Sequence, residues 1–253
     1  MGSALAGASS SRSSTWLRTL KAAVSPRMAL ICFPHAGGTS AAYQPWARYF
    51  PADIALTSIV YPGREARVFE PLIDSMNILV QHVSEAVRSA LDCPIALFGH
   101  SLGAAIAYEV ACRLRDDCGV LPAHLFVSGR CPPVHQKPGA RHLGDDQALW
   151  DELRRLGGTR EAVLEYAELK DFLLPIVRND YRLSETYLPP QRAPLPCPIT
   201  AFVGDEDTEV SVEQAEAWRQ CGCGDFSLHV FRGGHFYLIP RREALIEELL
   251  RVL

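Results

Sequence analysis

Apolar runs of strand length recur along the chain from Met28 onward, separated by turns and by stretches of helical pattern. These runs lie at Met28–Phe33, Ala55–Tyr61, Pro94–Phe98, His124–Ser128, Ile199–Val203 and Ser227–Phe231. Apolar residues repeat at helical spacing in Ile73–Leu91, Ala104–Leu114 and Arg242–Leu253. Because short apolar strands that alternate with helices form mostly parallel sheets covered on both faces, the pattern predicts an α/β fold.

One stretch carries helical patterns alone, from Cys131 to Pro198, and prolines bound it on both sides. The patterns lie at Gln147–Leu156, Glu161–Tyr166 and Leu169–Leu188, the last of them interrupted by Pro175. A helical insertion in such a sheet covers the carboxyl ends of the strands, where ligands bind. We therefore expect a helical lid over residues 131–198 and a core made of residues 28–130 and 199–253.

The apolar side chains of this lid allow two interpretations. They either line an apolar tunnel for a ligand or form the lid's own core, which is the usual fate of leucines at helical spacing. The residues concerned are Leu153, Leu156, Val163, Leu164, Leu173 and Leu174. The sequence favours neither interpretation, and both stay open at this point.

Residues 1–27 differ in composition from the rest, with seven serines, four basic residues and no acidic residue. A transit peptide has a similar composition, but the apolar stretch Ala4–Ala8 is too short for a signal peptide. Trp16, Leu17, Leu20 and Val24 would form one short apolar face. We expect residues 1–27 to be a disordered tail outside the fold.

Composition excludes several classes of protein. The 253 residues are 48% hydrophobic and 21% charged, which is typical of a globular domain. The net charge of −4 argues against binding to nucleic acid, and the chain has no apolar run long enough to span a membrane. Its eight cysteines follow neither a disulfide framework nor a metal-binding spacing. We expect reduced thiols, a cytoplasmic location and no metal site.

The motif with the clearest chemistry is Gly99-His100-Ser101-Leu102-Gly103. A Gly-x-Ser-x-Gly sequence gains meaning from its context, and here it follows one predicted strand and opens one predicted helix. Glycines at 99 and 103 let the chain make a sharp turn that larger side chains would obstruct. The turn exposes the Ser101 hydroxyl at a helix N-terminus, which favours a developing negative charge. Ser101 is therefore the predicted nucleophile.

A serine nucleophile needs a general base, which in turn needs an orienting carboxylate. His235 is the predicted base, because it lies in a glycine-rich loop directly after a strand, at Gly233-Gly234-His235-Phe236. His229 falls inside a strand and fits a structural role. The remaining histidines after Ser101 begin a strand or lie in the polar entry of the lid: His124, His135 and His142.

Four acidic residues compete for the role of the orienting carboxylate, in Gly204-Asp205-Glu206-Asp207-Thr208-Glu209. A catalytic acid in this order of Ser, acid and His follows a strand. Asp207 is favoured because it lies at the turn rather than at the end of the strand, and Asp205 is the alternative. The remaining acids fit a solvated turn.

An acyl-transfer site also needs two backbone N–H groups that bind the oxyanion. One comes from the residue after the nucleophile, Leu102, and the other from the loop after an early strand. The loop Pro34-His35-Ala36-Gly37-Gly38 follows the first predicted strand of the core, and we expect Ala36 to supply the second group. His35 precedes the serine and therefore fits a structural role in this loop.

Taken together, these motifs resemble a known family. They occur in the order Phe33-Pro34-His35-Ala36-Gly37-Gly38, Tyr61-Pro62-Gly63-Arg64, Phe98-Gly99-His100-Ser101-Leu102-Gly103, Leu174-Pro175-Ile176-Val177-Arg178-Asn179-Asp180-Tyr181, Gly204-Asp205-Glu206-Asp207 and Gly233-Gly234-His235-Phe236. The order is similar to that of stand-alone type II thioesterases that accompany polyketide synthases and nonribosomal peptide synthetases. The resemblance covers residues 28–253.

The resemblance implies an α/β-hydrolase fold with a mobile helical lid. It implies Ser101, Asp207 and His235 as the catalytic triad, and Ala36 and Leu102 as the oxyanion N–H donors. The implied substrate is an acyl group on the phosphopantetheine arm of an acyl or peptidyl carrier protein, removed by water in an editing role. No cofactor is implied.

Carrier proteins are usually acidic, so docking would need a local basic surface on this mildly acidic chain. The candidate residues are Arg64, Arg67, Arg178, Arg182, Arg241 and Arg242. We expect the protein to act as a monomer, with no nucleic acid partner and no membrane span. Two alternatives stay open, namely a lipase or carboxylesterase acting on free small esters and a catalytically idle module that binds a synthase.

Overall fold

The fold is described by a computed structural model, which covers residues 15–158 and 165–253. Within these residues, one sheet of seven strands has the order β1-β3-β2-β4-β5-β6-β7. Strand β1 runs antiparallel to β3, and the other neighbouring strands are parallel. The strands are β1 (Leu17–Lys21), β2 (Met28–Phe33), β3 (Ile54–Ile59), β4 (Ile95–His100), β5 (His124–Ser128), β6 (Ile199–Gly204) and β7 (Phe226–Phe231).

Helices cover both faces of this sheet and form the inserted lid. The α-helices of the described residues are α1 (Met76–Arg88), α2 (Leu102–Cys118), α3 (Asp146–Leu156), α4 (Ala167–Thr186), α5 (Val212–Glu216) and α6 (Arg242–Val252). Short 3₁₀ helices lie at Ser40–Ala42, Gln44–Arg48, Glu65–Arg67, Pro133–His135, Arg141–Leu143 and Ala217–Cys221. None of the described helices is both long and apolar enough to cross a membrane.

The sheet separates two apolar clusters, because successive side chains of a strand point to opposite faces. Leu97 of β4 belongs to the cluster that packs under α1 and α2, whereas its neighbour Phe98 joins Trp46 and Leu245 of α6 on the other face. Every residue of the central strands β4, β5 and β6 is buried. Burial on both faces explains why these strands read as continuous apolar runs, and it confirms the predicted class of mostly parallel α/β sheet.

The predicted tail contains a strand, which corrects the boundary placed at residue 27. Leu17–Lys21 forms β1 at the edge of the sheet, with Leu17 opposite Ile59 of β3. The Arg67 guanidinium lies 3.6 Å from the centre of the Trp16 ring, which holds this end of the chain on the core. Residues 1–14 lie outside the described residues.

One of the lid helices differs from the sequence prediction. Pro175 lies inside α4 and does not interrupt it. Proline removes one backbone hydrogen bond from a helix. Helix α4 remains intact because Leu174, Val177 and Tyr181 pack in a common cluster with α3. Residues 161–164 of the predicted helix at Glu161–Tyr166 lie outside the described residues.

Candidate active site

The predicted site residues follow the carboxyl ends of four parallel strands, where open α/β sheets bind their ligands. Ala36 follows β2, Ser101 follows β4, Asp207 follows β6 and His235 follows β7. Ala36, Ser101, Leu102 and His235 line one cavity of about 390 Å³, and Asp207 lies behind His235. The fold thus brings residues that are distant in the sequence to one edge of the sheet.

Ser101 sits on a strained turn between β4 and α2. Its backbone has φ 54° and ψ −121°, in the region that favours glycine, and its N–H donates a hydrogen bond of 2.8 Å to the Ser128 carbonyl. A Cβ atom on Gly99 would lie 2.2 Å from the Gly103 carbonyl oxygen, and one on Gly103 would lie 2.0 Å from that of Phe33. Both positions require glycine, as the sequence predicted.

His235 forms a buried pair with Asp207. Its Nδ1 lies 2.9 Å from Oδ2 and 3.1 Å from Oδ1 of that carboxylate, and the residue is 6% exposed. The Asp207 carboxylate also accepts the Glu209 N–H at 2.8 Å, which fixes its orientation. Asp205 instead accepts the Gly233 N–H at 2.8 Å. A histidine bound through Nδ1 keeps Nε2 for proton transfer, so the geometry favours Asp207 over Asp205.

Two backbone N–H groups of the loop after β2 donate hydrogen bonds within the protein. The Gly37 N–H donates to Asp180 Oδ2 at 2.8 Å, and the Gly38 N–H donates to the His35 carbonyl at 2.9 Å. Ala36 precedes both residues and lines the same cavity as Leu102. The loop therefore brings the backbone of Ala36 to the same cavity as the Ser101 hydroxyl.

Residues 28–253 match the family model described as a thioesterase domain. The chain belongs to the thioesterase family. The gramicidin S biosynthesis protein GrsT of Aneurinibacillus migulanus is 39% identical to it over 230 residues, which cover 90% of this chain and 89% of that protein. The thioesterase is thus a hydrolase that acts on thioesters, as the resemblance implied.

Solved structures of thioesterases are also similar to this chain. The type II thioesterase BorB from the borrelidin biosynthetic cluster matches with a TM-score of 0.87 and 38% identity, covering 94% of this chain and 97% of that one. The RedJ thioesterase from the prodiginine pathway of Streptomyces coelicolor matches with a TM-score of 0.86 and 39% identity, covering 90% and 91% of the two chains. These neighbours confirm the α/β-hydrolase fold.

In this thioesterase some of the lid leucines line the cavity and others form the lid's own core. Leu153 and Leu156 of α3 line the cavity with Ser101. Leu174 is buried in a cluster within the lid, and Leu173 packs partly against it. Leu153 belongs to that cluster as well. The other two residues singled out in the sequence, Val163 and Leu164, lie outside the described residues.

Neutral aromatic rings surround the His235 side chain. The centre of its ring lies 4.9 Å from that of His100 and 5.2 Å from that of Phe236. Burial, reinforced by the nearby His235, lowers the pKa of His35 to about 3 and holds the pKa of His100 well below its usual value. Both rings are therefore uncharged at neutral pH and add no positive charge beside His235.

Two of the arginines that the sequence offered for carrier docking are buried, so they do not belong to a docking surface. Arg64 pairs with Asp180 at 2.8 Å, and Arg67 pairs with Glu70 and donates to the Val60 carbonyl at 3.0 Å. An arginine next to a turn is usually a surface residue, and only the folded structure shows that these two point inward.

Sequence reasoning missed two carboxylates that join the lid to the core. Glu209 binds Arg141 and Arg155 of the lid at 2.6 and 2.5 Å, although the sequence placed it in a solvated turn. Asp180 binds the loop after β2, and no role was assigned to it. The sequence did indicate that Asp180 is buried, because it follows Val177 by three residues and so lies on the same, buried face of α4.

Proposed function

We propose that this thioesterase releases acyl groups from the phosphopantetheine arm of acyl or peptidyl carrier proteins, as an editing enzyme of polyketide or nonribosomal peptide biosynthesis. One observation carries the proposal. The cavity that holds Ser101 and His235 is also lined by Leu153 and Leu156 of the lid, so one wall offers a nucleophile and another offers an apolar surface to an acyl chain. The similarity to BorB, which is named as a type II thioesterase, supports the choice of pathway.

In the acylation step, the Ser101 hydroxyl oxygen attacks the thioester carbonyl carbon while His235 Nε2 takes the hydroxyl proton. Asp207 holds the imidazole in the correct tautomer and stabilises its positive form. The backbone N–H groups of Ala36 and Leu102 bind the oxyanion. Collapse of the tetrahedral intermediate breaks the carbon–sulfur bond, and His235 returns the proton to the departing thiolate.

Deacylation repeats the same steps with water as the nucleophile. His235 takes a proton from water, the hydroxide attacks the acyl-Ser101 carbonyl, and the free acid leaves as the serine recovers its proton. The group that leaves during acylation is the thiolate of the arm, and a thiol of pKa about 8.5 gives a good leaving group. The proposed mechanism therefore uses no cofactor and no metal ion.

The lid must open to admit the arm and its acyl chain and then exclude bulk water during acylation. We propose that the enzyme works as a monomer in the cytoplasm. The eight cysteines are all free thiols, which supports a reducing compartment. Sedimentation at micromolar concentration tests the monomer.

The proposal is tested by single-turnover hydrolysis of carrier proteins loaded with acyl groups of increasing length, beside the p-nitrophenyl esters of the same acids. We expect kcat/KM for the carrier thioester to exceed that for the matched ester by at least about tenfold, or 1.4 kcal/mol. Carrier protein lacking the arm, mixed with free acyl-pantetheine, is the control for recognition of the carrier itself. Faster turnover of the ester would assign the chain to free-ester hydrolysis and would contradict the proposal.

A further inference from the structure

Asp180 of the lid helix α4 uses both carboxylate oxygens to hold the core. Oδ2 accepts the Gly37 N–H at 2.8 Å and Arg64 Nη1 at 2.8 Å, and Oδ1 accepts Arg64 Nη2 at 2.9 Å. Asp180 is 1% exposed and Arg64 is 3% exposed. A lid residue is thus bound to the peptide that directly follows Ala36.

The segment after β3 holds the same loop from another side. Arg64 Nη1 donates to the Gly38 carbonyl at 3.1 Å. The neighbouring Glu65 accepts the Ser40 N–H at 2.5 Å and the Ser40 hydroxyl at 2.6 Å. Glu65 does so with φ 51°, a backbone conformation that is strained for a residue with a side chain and persists where surrounding contacts enforce it.

Helix α4 also fits closely against the loop. Gly37 has φ 71°, and a Cβ atom added to it would lie 2.9 Å from Val177 Cγ2 of α4. The Ala36 carbonyl and the Gly37 N–H belong to one planar peptide group, so a partner that fixes this N–H fixes the plane next to Ala36. The orientation of the Ala36 N–H then depends on where Asp180 holds that plane.

We propose that Asp180 is a positioning residue for the oxyanion hole. It orients the loop that presents the Ala36 N–H, so the hole takes its active geometry only when α4 is seated on the core. This inference rests on the proposed role of Ala36 in the hydrolysis. Seating of the lid and stabilisation of the oxyanion are thereby coupled through one carboxylate.

The test replaces the buried pair with apolar side chains in the variant Asp180→Ala/Arg64→Met. Replacement of both charges leaves no unpaired buried charge, and an unpaired buried charge would strongly destabilise the protein. Because a lost oxyanion donor lowers kcat about 10²–10³-fold, we expect misorientation to lower kcat by about 30-fold or more and to change KM by less than about threefold. Circular dichroism and the thermal midpoint confirm that the variant is folded.

The matched control is Asp74→Ala. Asp74 pairs with Arg182 at 3.0 Å, and Arg182 lies in α4 two residues after Asp180. This pair therefore also joins α4 to the core, but both of its side chains are half exposed. Its removal should leave kcat within about twofold of the wild type, because an exposed pair contributes little. An equal loss of kcat in both variants would show that any lid–core contact matters, and it would overturn the proposal.

A pair of inhibitors separates positioning from a structural role. A trifluoromethyl ketone forms a tetrahedral adduct with Ser101 and uses the oxyanion hole, whereas an S-alkyl-pantetheine thioether has no carbonyl group at the position of the thioester and does not. We expect the Asp180→Ala/Arg64→Met variant to bind the ketone at least about tenfold more weakly and the thioether as the wild type does. Equal weakening of both, or no weakening of the ketone, would refute the positioning role.

If the double variant does not fold, Asp180→Asn gives the same comparison, because the isosteric amide has one acceptor oxygen for the three N–H groups that Gly37 and Arg64 donate. Its ratio of ketone to thioether affinity should fall at least about threefold, and an unchanged ratio would overturn the proposal. p-Nitrophenyl esters serve as substrates throughout. Wild-type protein that hydrolyses these esters but no carrier thioester would contradict the proposed function and leave this test intact.

Discussion

Ser101 and Glu65 are the two non-glycine residues with positive φ in the part of the chain that the structure describes. Ser101 is the predicted nucleophile, and Glu65, in the segment after β3, accepts hydrogen bonds from Ser40 near the end of the loop that carries Ala36. Ser101 is kept in place by its N–H bond to Ser128 and by the glycines on either side of it. Strain held by such contacts keeps a hydroxyl exposed at a helix N-terminus, where an oxyanion is stabilised.

Ser101→Ala should abolish hydrolysis and leave the fold unchanged. The hydroxyl faces the cavity, so its loss removes little packing. We expect kcat to fall on the order of 10³-fold or more, as it does when a triad member is removed, with an unaltered thermal midpoint. Residual activity within about tenfold of the wild type would show that Ser101 is not the nucleophile.

Asp207→Asn should lower kcat far more than Asp205→Asn. The Asp207 carboxylate is hydrogen-bonded to His235 and that of Asp205 is bonded to the Gly233 N–H instead, and an amide at 207 favours the wrong tautomer of the imidazole. We expect a loss on the order of 10³–10⁴-fold for Asp207→Asn and less than about tenfold for Asp205→Asn, measured as kcat with one thioester. Asp205→Asn is the matched control, since Asp205 lies on the same turn and its carboxylate accepts the Gly233 N–H. The reverse ranking would assign the acid to Asp205.

At the scale of elements, the lid meets the core through charged contacts on both sides of the site. Glu209 binds Arg141 and Arg155 from the lid, while its backbone N–H donates to Asp207. Asp180 joins α4 to the loop after β2. The lid therefore contacts two of the loops that carry predicted site residues, the loop after β2 and the loop after β6, in addition to lining the cavity with leucines.

Leu156→Trp should shift acyl preference toward shorter chains, because Leu156 lines the cavity and is only half buried. Each methylene that no longer finds an apolar surface costs about 0.8 kcal/mol, or about fourfold in kcat/KM. The measurement is kcat/KM across a series of acyl lengths. Leu173→Trp is the control, since it changes a half-buried leucine of the lid that is not among the residues lining the cavity. Identical length profiles in both variants would place the acyl chain elsewhere.

Burial on both faces made the central strands β4, β5 and β6 predictable, because each one is a contiguous apolar run. Strands β2, β3 and β7 were predicted from apolar runs as well, although they are only partly buried. Strand β1 was missed because it lies at an edge and alternates leucine with arginine, threonine and lysine. The turn at Ser101 and the loop at His235 also follow from local sequence. The pairing of Arg64 with Asp180 does not, because the partners are 116 residues apart and the burial of a charge depends on its partner. The catalytic roles themselves stay predictions.

At the scale of the whole molecule, several histidines are buried in uncharged form. His35 and His100 lie near the site, and His124 pairs with Thr200 at 2.8 Å inside the sheet. Burial lowers the pKa of His124 to about 4, and that of His35 to about 3. His100 Nε2 has no hydrogen-bond partner among the described residues, so a proton there would be an unpaired buried donor.

These histidines make stability depend on pH in one direction. Their pKa values are lower in the folded than in the unfolded protein, where they lie near 6.5. Below pH 6.5 the unfolded state therefore binds more protons, so the free energy of unfolding should fall as pH falls from about 6.5 toward 4. Each such histidine contributes a slope of up to about 1.4 kcal/mol per pH unit.

His124→Gln should reduce that slope by about one proton, or up to 1.4 kcal/mol per pH unit between pH 6 and 5, because glutamine keeps a polar contact with Thr200 but does not titrate. The measurement is urea unfolding at a series of pH values, with the slope of the unfolding free energy compared between variant and wild type. His82→Gln, on the exposed side of α1, is the control for the replacement of a histidine by glutamine. An unchanged slope in His124→Gln would mean that His124 takes up its proton equally in both states, and that its burial does not govern acid unfolding.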